Sequence, residues 1–97
     1  MYAVVNHLQL KVSVAEIESK VESEAAPLLA SYPGFQGFYF VQESENRAIV
    51  ILVWDGAESA ANAAKEFGSA WFNDNIIPIL SSPQDRHAGP VVAMARK

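Results

Sequence analysis

The chain has 97 residues, enough for one domain spanning residues 1–97 and too few for two. Its 51% hydrophobic and 19% charged residues place it among globular chains and exclude disorder. A formal net charge of −4, with only seven scattered Lys and Arg, provides no basic stripe, so neither nucleic acid nor an anionic membrane is an expected partner. There is no cysteine, which removes disulfides, thiol nucleophiles and thiolate metal sites.

No apolar run reaches the ~18 residues of a membrane span. No basic leader with a small-residue cleavage site opens the chain, so a cytoplasmic location is expected. Tyr2 to Leu10 reads as a first strand. Alternation puts Tyr2, Val4, Asn6, Leu8 and Leu10 on one face, and Ala3, Val5, His7 and Gln9 on the other. Ser13 with Glu16 has capping-box spacing, and Val14, Ile17, Val21 and Leu28 then recur at helical spacing. Pro27 is expected to kink this helix or loosen its last turns, and Pro33-Gly34 ends it.

Phe35 to Glu43 reads as an aromatic-rich second strand, Glu43 to Arg47 as a hairpin loop, and Ala48 to Trp54 as a third strand apolar on both faces. Asp55 with Glu58 repeats the capping-box spacing and opens an alanine-rich helix anchored by Phe67 and ended by Gly68. A short helix follows from Ala70 to about Ile77. Pro78 to Pro90 reads as a loop, and Val91 to Ala95 as a last strand. The order β-α-β-β-α-(α)-β predicts an α+β, ferredoxin-like split βαβ fold with a four-stranded antiparallel sheet. Helices cover one sheet face only, so the apolar second face of strand three calls for a partner, most simply a second copy in a two-fold homodimer.

Several signatures are missing: a glycine-rich phosphate loop, a Gly-x-Ser-x-Gly elbow, and a paired carboxylate site. His7 and His87 fall on different elements with no third ligand at helical spacing, so no metal site is expected. Two readings of Asn6 are open. Flanked by valines and leucines on its face, it either orients a ligand carbonyl or stabilises an enolate-like oxygen, or it bonds neighbouring backbone. His7 points to the opposite face, toward the expected dimer interface. His87, in the Pro-rich loop, is either an acid or base swinging over a pocket mouth or a solvated histidine. Trp54, Phe67, Trp71, Phe72 and Tyr39 supply aromatic surface for an apolar pocket or for the core.

The turn Pro33-Gly34-Phe35-Gln36-Gly37, and Val53-Trp54 followed by an acidic helix start with Ala60 and Ala61, resemble antibiotic biosynthesis monooxygenase-like domains of the dimeric α/β-barrel superfamily. Ala70-Trp71-Phe72-Asn73-Asp74-Asn75, Pro78-Ile79-Leu80 and Gly89 before a Val-rich strand resemble an uncharacterised bacterial subgroup with the same barrel. The resemblance implies a homodimer with a pocket between sheet and helices in each subunit, and an apolar or aromatic small-molecule ligand. The activity it implies is that of a cofactor-independent monooxygenase, with Asn6 and His87 as candidate catalytic groups. The rival is a ligand-binding or stress-response dimer without turnover. The haem-degrading branch of the superfamily uses an inward Asn, which Asn6 matches. It also uses a Trp and an axial His, and Ala63 and Asn73 stand at those positions; Trp71 reaches the Trp site only with a large register shift.

Overall fold

A computed structural model describes all residues, Met1–Lys97. The strands β1 (Tyr2–Gln9), β2 (Phe35–Gln42), β3 (Arg47–Trp54) and β4 (Asp85–Pro90) form one antiparallel sheet in the order β2-β3-β1-β4. This is the strand order of a ferredoxin-like fold, with the first and third strands at the centre. No helix is long and apolar enough to cross a membrane.

The first helical segment is continuous but not uniform. α1 (Val14–Lys20) passes into a wide π turn (Val21–Ala25) and then α2 (Ala26–Ala30). The cause is Pro27, whose ring would clash with the Ser23 carbonyl in a regular helix. The wide turn lets the Ala26 N–H reach back to Val21 O, so the helix absorbs the proline without breaking. Ser13 sits at the N-cap in an extended conformation, but its side chain makes no cap hydrogen bond.

The second helix also departs from its expected start. Gly56 is its N-cap, and α3 runs from Ala57 to Ser69, one residue beyond Gly68. The break comes at Ala70, outside the helical region at φ −118° and ψ −97°, before α4 (Trp71–Asn75) and a short 3₁₀ turn at Ile77–Ile79. The last strand is corrected more deeply. Asp85–Pro90, expected to be loop, pairs along β1, while Val91–Lys97 joins no sheet. Cross-strand pairing with β1 therefore overrides the weak β-propensity of Asp85, Gly89 and Pro90.

All helices lie over one face of the sheet. The buried residues there divide into two clusters: Val4, Leu29, Trp54, Ala60 and Ala63 toward one end, and Leu8, Leu10, Val14, Ala48 and Ile76 toward the other. Full burial of side chains such as Trp54 and Leu29 is worth about 1.5–3 kcal/mol each for residues of leucine size and upward. On β1, Asn6 stands between Val4 of one cluster and Leu8 of the other. The opposite sheet face carries Val5, Ile49, Ile51 and Val53, with Tyr39 and Val41 well exposed beside them.

Candidate functional site

Between the two clusters lies a cavity of ≈ 180 Å³. Its floor is the sheet, through Asn6, Phe38, Phe40, Val50 and Leu52; its walls are Val21 and Ala25 of the π turn and Ala60, Ala63 and Ala64 of α3. The alanines are what leave the space. A larger residue at 60 or 63, both buried, would fill it. Trp54 lies at one end, and Phe67, Trp71 and Phe72 close the side toward α4. Seventeen of the 21 lining residues are hydrophobic, the composition expected of a small-molecule site.

The aromatic wall is held in place. Phe67 and Trp71 stack with ring centroids 5.6 Å apart, and the Trp71 indole N–H donates to Glu24 Oε1 at 2.9 Å. The indole thus directs its polar edge outward and its apolar body toward the cavity.

Three polar side chains line the cavity: Asn6, Gln84 and Arg86. Asn6 Oδ1 is buried and has no hydrogen-bond partner. An orphaned acceptor in an apolar enclosure costs about 1–3 kcal/mol, so it needs an explanation. Of the two readings of Asn6, bonding to neighbouring backbone does not describe this oxygen. Arg86 stands directly opposite Asn6 across the β1–β4 pair and is exposed, which puts it at the rim. The chain's single ion pair joins His87 to Asp85, so Arg86 has no carboxylate partner.

Two candidate residues fall elsewhere. His87 pairs with Val5 across β4 and β1, on the sheet face away from the helices. Its Nε2 lies 3.1 Å from Asp85 Oδ1, and its ring meets His7 edge-to-face at 6.2 Å. Of the two readings of His87, the one in which it swings from a loop over the pocket mouth is corrected, because it belongs to a strand, where alternation turns it outward. Tyr39 is likewise on the outer face and 59% exposed, whereas its neighbours Phe38 and Phe40 line the cavity. Trp54, Phe67, Trp71 and Phe72 do line it. The sequence alone does not single out Gln84 or Arg86; the alternation of a strand at 85–90 is the signal that places Arg86 on the cavity face. The Tyr32 hydroxyl is held above its usual pKa by burial and, second, by the charge of Glu66, but it does not line the cavity. Asn73, at the position of the haem branch's axial ligand, is exposed on α4 and also does not line it.

No family model and no curated protein matches the chain. Solved structures do. SnoaB, a cofactor-independent oxygenase from Streptomyces nogalater, is 19% identical with a TM-score of 0.80, over 99% of this chain and 97% of SnoaB. The monooxygenase ActVA-Orf6 of Streptomyces coelicolor, in complex with nanaomycin D, is 11% identical with a TM-score of 0.76, over 99% of this chain and 92% of that one. A point mutant of MhuD, with two manganese protoporphyrin IX bound per active site, is 17% identical with a TM-score of 0.76 over the whole of both chains. At these identities the likeness is one of fold: the chain has the α+β, ferredoxin-like fold of the antibiotic biosynthesis monooxygenase-like, dimeric α/β-barrel structures.

Proposed function

We propose that the cavity binds a small aromatic molecule bearing a hydroxyl or enolisable carbonyl, and that the chain is a cofactor-independent monooxygenase acting on it. The observation that carries this is the unpartnered, buried Asn6 Oδ1 in an apolar, aromatic-walled space. A ligand O–H donated to that oxygen supplies the missing hydrogen bond. The cavity is slightly larger than the roughly 150 Å³ that admits benzene, so one ring fits inside and a second reaches the rim. The fold shared with SnoaB and ActVA-Orf6 supports the oxygenase class.

In such a reaction the deprotonated substrate is itself the reductant of dioxygen. With 1-naphthol, one O₂ inserts an oxygen at the ring carbon para to the hydroxyl, giving 1,4-naphthoquinone and one water. The protein's part is to hold the ring, orient its oxygen through Asn6 and exclude bulk water, which strengthens every polar contact inside. Two copies pair through the outer sheet face in this proposal, burying Val5, Ile49, Ile51, Val53, Tyr39 and Val41, which no helix covers.

A second reading, a ligand-binding dimer without turnover, is favoured by one observation. No His, Asp, Glu, Lys or Tyr lines the cavity, so no side chain there serves as a general base at neutral pH. Oxygen uptake with 1-naphthol, read beside binding, separates the two. Uptake with quinone formation, abolished in the cavity-filling Ala63→Leu variant, is the result expected of an oxygenase. Binding that Ala63→Leu abolishes, without oxygen uptake, supports the second reading and ends the first.

A further inference from the structure

Asn6 and Arg86 are cross-strand partners on the cavity side of the sheet. Directly opposed residues have Cβ atoms only about 4.5–5.5 Å apart, so the two side chains start from one place and diverge. Asn6 ends in the enclosed part, with a buried acceptor; Arg86 ends at the rim, with Gln84 also on the lining. Arg86 carries a permanent charge, and no Asp or Glu in the chain pairs with it. The nearest acid in sequence, Asp85, points to the other face and is held against His87. Glu24, near the aromatic wall, is engaged by Trp71.

We propose that the cavity selects a hydroxylated aromatic carboxylate. The hydroxyl donates to Asn6 Oδ1 inside, the ring lies against Phe67 and Trp71, and the carboxylate is paired with the Arg86 guanidinium at the rim, with the Gln84 amide as an additional donor. This deepens the proposed function and rests on its reading of the cavity as an aromatic-ligand site. A planar guanidinium matches two carboxylate oxygens in a fork, and one guanidinium with one amide suits a monoanion. A phosphate group, with more charge and three terminal oxygens, would be left short of donors. In a chain of net charge −4, an anion has no general attraction to the surface, so its capture depends on this one arginine.

Calorimetric titration of the native chain at neutral pH with three probes tests this: 1-hydroxy-2-naphthoate, its neutral amide 1-hydroxy-2-naphthamide, and 2-naphthoate, which lacks the hydroxyl. The acid is expected to bind about tenfold or more tightly than the amide, and Arg86→Gln to reduce that preference to near unity, while Arg86→Lys retains part of it. Asn6→Val is expected to erase the preference for 1-hydroxy-2-naphthoate over 2-naphthoate and leave the acid-over-amide preference in place. An amide that binds the native chain as well as the acid, or an acid preference that survives Arg86→Gln, overturns the carboxylate inference and leaves the aromatic-ligand reading standing. Failure of all three probes to bind overturns both. Arg86 is exposed, so the Gln and Lys variants are expected to fold; circular dichroism of each confirms that lost binding is not lost structure.

Discussion

The Trp71 indole N–H reaches Glu24 Oε1 at 2.9 Å, tying the five-residue helix α4 to the π turn, which forms another wall of the cavity. The bond is solvent-exposed, so it contributes to position more than to stability. Glu24→Ala is expected to cost no more than about 1 kcal/mol in urea unfolding. It should nonetheless shift and broaden the Trp71 emission and weaken 1-hydroxy-2-naphthoate binding, while Glu24→Gln, which keeps the acceptor, restores both. Unchanged fluorescence and binding in Glu24→Ala would show that Phe67 stacking alone holds the indole.

Asn6→Val is expected to move stability and binding in opposite directions. Removing an unpaired buried acceptor and adding a β-branched side chain to a central strand should raise unfolding free energy by about 1 kcal/mol. The same change removes the ligand's hydrogen-bond partner. Denaturant midpoints and ligand titrations on one preparation check both, and a loss of stability would mean that the Asn6 amide is satisfied in the folded chain.

Gly34 is the sole residue at positive φ, 82°, and a side chain there would run into Ser59 and Asp55. Asp55 N–H already donates to Gly34 O at 2.8 Å, so the turn entering β2 is pinned to the start of α3. Gly34→Ala should therefore destabilise by about 1–3 kcal/mol, read as a lower urea midpoint. Gly56→Ala, where a methyl group meets open space, is the control and should change little.

The outer sheet face gives the next test. Ile51 lies at its centre, opposite Val5 and Tyr39. Sedimentation velocity is expected to give a dimer for the native chain and a monomer for Ile51→Glu, since a charge at the centre of an apolar interface is left unpaired. A native chain that sediments as a monomer at micromolar concentration would refute the pairing.

How far the sequence exposes this site depends on the strand. β1 is legible because alternation alone sets Val4, Asn6 and Leu8 on one face, and its two neighbours leave that alternation intact. The same rule separates Phe38 and Phe40 from Tyr39. β4 is illegible locally. Asp85 to Pro90 has the composition of a loop, and the Val91–Ala95 stretch that looks like a strand makes one backbone bond, Val91 N–H to Met1 O, and forms no strand, leaving Val92 92% exposed. Pairing with β1, a contact some 80 residues distant in the chain, decides the matter. That displacement carried His87 toward the pocket in the sequence reading and hid Arg86, which points there instead. The helices were legible as helices, but neither capping box forms, because cap geometry is set by where the loops are tethered.

The π turn at Val21–Ala25 makes the length of the chain at that point depend on Pro27. It houses one residue more than a regular turn, and both of its cavity-lining positions, Val21 and Ala25, bracket that extra residue. Because the wide turn absorbs the extra residue locally, deleting the exposed Ser23 would restore an ordinary helical repeat and leave Leu29 facing the core. Pro27, however, would then meet a carbonyl it now avoids. Among homologues that keep this cavity, the extra residue and the proline should therefore be present together or absent together.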